Sequence, residues 1–455
     1  MNPYQTPKSD RMADMGRKVI PAATMSNFRR SVDYHPIYMT HGKGGRLYDL
    51  DGNEYIDYSL SYGPALLGHS NEHLREALKR QLDRLFTPNV SDLEVGAAQK
   101  VIDHISSAEL VRFTCSGTEA NSSALRAARA YTGRPQYVRF NGHYHGGNDD
   151  LMGGILGDPR NPYPVMDELE NDIYSQFTNT DGRHPQAFNQ VFMIEWNDLQ
   201  ELEKLFKRHG DEIAAVIMEP TMVNNFGCLP EPGYLEGVRK LCTEYGVVLI
   251  FDEVLTGFRI DLKGAQGYFG VTPDMTTLAK ALGGGFPVSA FTGTREIMDT
   301  LTRADAVVGG TYNGHPLAMA AVTAAIEEYE RDNGAIYRYI RRLGSMLKEG
   351  IDQIAQEHGQ PFLLQGFPAA WTFSFNPKKK VINQSDGLDA DLRKLGLFVD
   401  LLKKYGILTS LRFCVSAAHT EKDIGDTLDR VNEVMKIIKE KEEAGPKEGS
   451  VHVFM

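Results

Sequence analysis

Two unbroken apolar runs, Ile213–Met218 (IAAVIM) and Val247–Phe251 (VVLIF), each end on an acid. Glu219 follows the first, and Asp252-Glu253 follows the second. Neither run alternates with polar residues, so a strand built from either must be buried on both faces. Both fall far short of the roughly 18 residues of a membrane span. A doubly buried sheet needs helices on each side, and the intervening sequence supplies them. Further candidate strands are Leu110–Cys115, Tyr137–Phe140 and Val288–Thr292. Candidate helices are Glu119–Tyr131, Leu199–Arg208, Gly233–Tyr245 and Pro273–Leu282. This alternation predicts an α/β fold, a large domain with a mostly parallel central sheet flanked by helices.

The ends read differently. Leu47–Tyr58 (LYDLDGNEYIDY) is two alternating runs around Asp51-Gly52, a hairpin signal. A helix over Pro316–Arg331 and a second near Ile336–Gln356 precede isolated strands at Ala370–Phe375 and Arg412–Ser416, each with a helix after it. The expectation is a smaller α+β domain built from both termini: residues 1–59 and 326–455 flank a large domain of 60–325. The stretch from Gly146 to Gln190 is rich in Gly, Asn, Asp and Pro, and reads as an active-site flap.

Charge narrows the partners. The chain has 49 basic against 60 acidic residues, a net charge of −11, which argues against a nucleic-acid footprint. The lysine run Lys378–Lys380 reads as a solvated turn. Four cysteines without a C-x-x-C pair form neither a disulfide framework nor a zinc ribbon. The opening MNPYQTPKSDRMADMG lacks an apolar core, so a soluble cytoplasmic protein with small-molecule partners and no membrane contact is expected.

Several residues carry chemistry. Ser116-Gly117-Thr118-Glu119 sits between a strand and an alanine-rich helix, where free backbone N–H groups can grip a phosphate. The same letters also spell a capping box, Ser116-x-x-Glu119. Glu219 and Asp252, at the carboxyl ends of adjacent buried strands, suit a ligand crevice, or are strand-end capping acids. Lys280 follows an apolar approach and precedes Gly283-Gly284-Gly285. Such a flank desolvates the amine and favours a Schiff-base-forming nucleophile over a snorkelling surface lysine. His143-Tyr144-His145 could hold a metal, but no third ligand stands at a recognisable spacing, and no metal is expected. An aromatic ring between glycines is better placed to stack on a flat cofactor.

In order along the chain, SGTEAN, GHYHG, MEP, FDEVLTGFR, TLAKALGGGFPVSAFTG and GGTYNGHPLAMAA resemble the class III, fold-type I pyridoxal-phosphate aminotransferases. The likeness is greatest to glutamate-1-semialdehyde aminomutase and the β-amino-acid aminotransferases. The separation of Asp252 and Lys280 (280 − 252 = 28) also looks like the family's. The resemblance implies pyridoxal 5′-phosphate as cofactor, held as a Schiff base by Lys280, with Asp252 on the pyridine nitrogen. It implies Gly117 and Thr118, with Ser116 beside them, on the phosphate, and Tyr144 over the ring. Asn224, five residues beyond Glu219, would meet the phenolic oxygen, and Thr311 would reach the phosphate of a neighbouring subunit in a homodimer. His315 stands where the family usually has Asn. The reaction implied is transamination between an amino acid, β-amino acids included, and an oxo-acid through a pyridoxamine form. An aminomutase or racemase using the same residues is the alternative. Arg30 and Arg412 match positions that present a guanidinium to a substrate carboxylate, although most arginines lie on surfaces. Arg29 could replace Arg30.

Overall fold

The computed structural model describes residues 3–26, 29, 36–152, 184, 187 and 191–443 of the 455-residue chain. Three short strands come first: β1 (Met39–Lys43), β2 (Arg46–Asp49) and β3 (Glu54–Asp57). The expected hairpin joins β2 to β3 around Asp51-Gly52. The central sheet holds β4 (Leu110–Thr114), β5 (Gln136–Phe140), β6 (Val191–Ile194), β7 (Ile213–Met218), β8 (Val248–Glu253), β9 (Met275–Leu278) and β10 (Ser289–Gly293). Their spatial order is β4-β10-β9-β8-β7-β5-β6. The pairs from β9 through β6 are parallel, and β10 runs antiparallel to both its neighbours. Four strands follow: β11 (Phe362–Phe367), β12 (Ala370–Phe375), β13 (Ile407–Leu408) and β14 (Arg412–Cys414). β11, β12 and β14 form an antiparallel sheet, while β13 pairs in parallel with β3. Early and late chain therefore share one sheet.

The unbroken apolar runs now have a cause. Every residue of β7 and β8 is buried. Ala215, Ile217, Val248 and Ile250 pack under the helix Gly117–Thr132, with Ala120, Ala124 and Ala128. Val216, Met218, Leu249 and Phe251 face the other way, onto Leu202 and Phe206 of Leu199–His209 and Val238 of Tyr234–Tyr245. Successive side chains point to opposite faces, and both faces are covered.

Two expectations change. Pro273–Leu282 is not a helix but β9 followed by a short turn, Lys280–Gly283. All four residues of β9 are buried between β8 and β10. There Thr276 bonds Ser107 and Gln266, and Thr277 bonds Asn121, so the β-branched pair belongs to a strand. β8 also runs two residues past Phe251, because Asp252 and Glu253 pair with Thr277 and Leu278 of β9. The two expected C-terminal helices stand within Pro316–Glu357, parted by non-helical backbone at Arg331–Gly334. Lys378 and Lys380 are paired with Asp386, Asp389 and Glu231. Apart from Met152 and before, and residues 184 and 187, the expected flap lies outside the described residues. Among the described residues, no helix is long and apolar enough to cross a membrane.

Gly344 marks where this long helical span meets the β11–β12 turn. A Cβ there would lie 1.9 Å from the Pro368 carbonyl oxygen, and Trp371 Nε1 donates to the Gly344 carbonyl at 2.8 Å. Helix propensity alone would favour Gly344→Ala by about 1 kcal/mol. Overpacking against backbone costs about 1–3 kcal/mol and wins at this separation. Gly344→Ala should therefore lower the thermal unfolding midpoint; a midpoint equal to or above wild type would show that the turn yields freely.

Candidate active site

Parallel β7, β8 and β9 finish at the same edge of the sheet, where a ligand crevice is expected. They bring Glu219, Asp252 and Lys280 to one cavity of about 200 Å³, lined also by Gly117, Thr118, Tyr144 and Asn224. Eight of the eleven site residues expected from sequence stand in or beside it: these seven, and Arg412, whose charge acts on Lys280.

Asp252, near the end of β8, is 4% exposed. Its Oδ2 accepts from Asn121 Nδ2 at 2.8 Å and from His145 Nδ1 at 2.7 Å, and its Oδ1 from the Val254 amide at 3.0 Å. Asn121 is itself held: Thr277 Oγ1 donates to its Oδ1 at 2.6 Å, and its amide also donates to the His145 carbonyl. These two partners of Asp252 were missed from sequence. Asn121 stands one helical turn into SGTEAN, and His145 was weighed only as a metal ligand; both signals lay inside motifs already marked. Among the described residues no group of three ligating side chains could hold a metal.

Glu219 leaves β7 buried. Its Oε1 accepts from the Tyr144 amide at 2.8 Å and from Asn224 Nδ2 at 2.9 Å. Burial, with the Asp252 charge adding, pushes Glu219 up to about 7. Its own amide donates to His143 Nδ1 at 3.0 Å. The segment Asn141–Gly146 is thus a strap tied to both strand-end acids. Gly146 closes it at φ +124°, where a Cβ would lie 2.9 Å from the Thr118 Cα.

Lys280 follows β9 with a left-handed φ of +47°, unusual for a side chain with a Cβ. The residue is half-buried and lines the cavity, with protein packed around it. That enclosure pulls the amine down to about 8; Arg412 adds to the shift, and Asp252 and Glu219 oppose it. Arg412 opens β14 and is 7% exposed. Its Nη1 donates to the Val223 carbonyl at 3.2 Å and to Asn224 Oδ1 at 2.9 Å, while Nε finds no acceptor among the described residues.

Beside the cavity, the capping box expected from Ser116-x-x-Glu119 is formed. Ser116 Oγ accepts from the Glu119 amide at 3.3 Å, and Glu119 accepts from the Cys115 and Ser116 amides. Gly117 and Thr118 then face the cavity from the first helical turn, whose amides have no intrahelical acceptor. The remaining three expectations fall elsewhere. Thr311 is exposed in a turn outside this cavity. Arg30 lies outside the described residues; the neighbouring Arg29 exerts its charge on Tyr62, as does Arg412. Ser116 serves as the helix cap rather than lining the cavity.

Comparison with known proteins agrees with this geometry. Residues 28–434 match the family model described as Aminotransferase class-III. A glutamate-1-semialdehyde 2,1-aminomutase 2 of Bacillus pumilus (strain SAFR-032) is 37% identical over 446 residues, covering 95% of this chain and 98% of that protein. The solved omega-transaminase of Sphaerobacter thermophilus superposes with a TM-score of 0.86 at 29% identity, covering 95% of this chain and 98% of that one. A β-phenylalanine aminotransferase from Variovorax paradoxus gives 0.80 at 27% identity, covering 94% of each chain. The match runs along most of the sequence and covers the strand ends that carry Asp252 and Lys280: the chain belongs to the class III aminotransferases, enzymes whose cofactor is pyridoxal 5′-phosphate.

Proposed function

We propose that this enzyme is an isomerase of the aminomutase kind, which shifts an amino group between carbons of one carboxylate-bearing substrate resembling glutamate 1-semialdehyde. The observation that carries the reading is the near-full-length likeness to aminomutases, 37% identical to the Bacillus pumilus protein over 446 residues. Transamination between an amino acid and an oxo-acid, the first expectation from sequence, is the second reading. The omega-transaminase likeness, with its TM-score of 0.86, favours it.

The residues present fit the cofactor. Gly117 and Gly146 leave the cup open beside Thr118, and a buried acid and a buried amine face each other across it. Gly117 and Thr118 would hold the phosphate with main-chain N–H groups, Ser116 fixing the helix end. Tyr144 would cover one ring face, Asp252 would meet the ring nitrogen, and Asn224 the phenolic oxygen. When bound, pyridoxal phosphate supplies an electron sink for the carbon that bears the amino group. Lys280, whose amine is pulled down to about 8, would attach the cofactor and carry a proton to or from that carbon. Glu219, shifted to about 7, is a second group able to hold a proton nearby. Arg412 would offer its guanidinium to the substrate carboxylate, with Arg30 or Arg29 as a second contact.

A homodimer with shared sites completes the reading. Phe86, Val90, Val95, Val307 and Tyr312 are exposed apolar side chains, Val90 by 92%, and Thr311 adjoins Tyr312. Glu94 lies against Gly314, so these two loops are neighbours. Such a patch suits a second copy, whose cofactor phosphate Thr311 would reach.

Turnover on a single substrate tests the reaction type. An aminomutase converts one compound to an isomer of equal mass with nothing else added. Release of a keto compound, and a requirement for an added oxo-acid, would instead favour the transaminase.

A separate comparison tests Arg412. Arg412→Ala should reduce kcat/KM for a carboxylate substrate by roughly tenfold to a hundredfold, about 1.5–3 kcal/mol, and spare its decarboxylated amine. Equal losses for both compounds would remove Arg412 from the carboxylate site.

A further inference from the structure

The His143-Tyr144-His145 motif is tied to the two strand-end acids. Its two histidines are held in different tautomers. The Glu219 amide donates to His143 Nδ1, so that nitrogen carries no proton. His145 Nδ1 faces the Asp252 carboxylate, so that nitrogen must donate. Both rings are 1% exposed and meet edge to face at 5.8 Å.

We propose that His145 and Asn121 are positioning residues for the cofactor: their two hydrogen bonds to Asp252 Oδ2 fix the carboxylate so that Oδ1 is presented to the ring nitrogen and keeps it protonated. The inference rests on the placement of Asp252 at that nitrogen.

The geometry argues for this in three ways. First, both donors converge on one oxygen at 2.7–2.8 Å, while Oδ1 receives only the Val254 amide at 3.0 Å. A carboxylate oxygen with one donor keeps a lone pair for another. Second, Asn121 is pinned by Thr277 and the His145 carbonyl, and the buried His145 ring lies edge-on against His143. Third, burial keeps His145 uncharged. The groups that face it are Asp252 from β8, Arg139 from β5 and His143 from the strap. Burial lowers His145 below its ordinary value, Asp252 opposes and Arg139 adds, while His143 is lowered further. A neutral imidazole donates without cancelling the Asp252 charge, so the anion remains for the ring.

The test uses the holoenzyme with 15N-labelled pyridoxal phosphate. It reads the ring nitrogen's chemical shift across pH and the cofactor's dissociation constant, neither of which needs turnover. His145→Phe keeps an aromatic ring and removes the donor. His145→Asn places an amide N–H near the lost Nδ1, and Asn121→Leu keeps the shape without donors. We expect the ring nitrogen of His145→Phe and Asn121→Leu to deprotonate at lower pH than wild type, with cofactor affinity about tenfold weaker. His145→Asn should restore much of both. Asp252→Asn is the reference and should lose ring protonation outright. If it does not, the placement of Asp252 fails and the inference with it. If Asp252→Asn loses protonation while the His145 and Asn121 variants keep wild-type titration, the positioning role alone is overturned. Asn121→Leu decides the matter should His145→Phe fail to fold.

Discussion

A carboxylate buried at the end of a parallel strand must be surrounded by donors, or it would destabilise the fold by several kcal/mol. Asp252 has three, and much of the surrounding architecture exists to supply them. Asn121 reaches it because the helix Gly117–Thr132 lies close on the sheet, packed through alanines. His145 reaches it because the strap crosses β7 and is tied there by the Glu219 side chain and amide. Thr277 holds Asn121 only in the register that pairs β9 with β8. A strand slipped by one residue would turn Thr277 to the other face and release the whole chain of contacts.

The same burial sets the opposite sign at Lys280. The charges of Asp252 and Glu219 raise its pKa while that of Arg412 lowers it, so neighbours of both signs oppose one another. Desolvation then decides the outcome and lowers the amine. Arg412 and Glu219 are linked through Asn224, which donates to the acid and accepts from the guanidinium. One neutral side chain thus spaces the acid from the guanidinium.

Much of this was legible in the sequence, for physical reasons. Doubly buried strands announce themselves by lacking alternation, and acids at their ends by the abrupt change of polarity at Glu219 and Asp252. The helix expected over Pro273–Leu282 failed because Met275–Leu278 is apolar with two threonines, a text that burial between two strands reads as strand. Asn121 and His145 escaped because their role is to touch Asp252, 131 and 107 residues away, and no local pattern encodes that distance. The capping box and the phosphate cup had been set against each other, yet a capped helix end still offers its first-turn amides. Substrate identity was the least legible part, since Arg412 gains meaning only when β14 brings it beside Asn224.

The central claim is that enclosure by the protein, rather than any single partner, lowers the Lys280 amine so that its neutral, nucleophilic form is half-populated at about pH 8. The direct measurement is the rate at which cofactor-free enzyme captures pyridoxal phosphate across pH, with the product fixed by borohydride and mapped to Lys280. Because the neutral amine is the reacting form and its folded-state pKa is depressed, capture should rise with pH and level off through a midpoint of about 8. A rate still climbing toward the ordinary lysine value of about 10.4 would contradict the account.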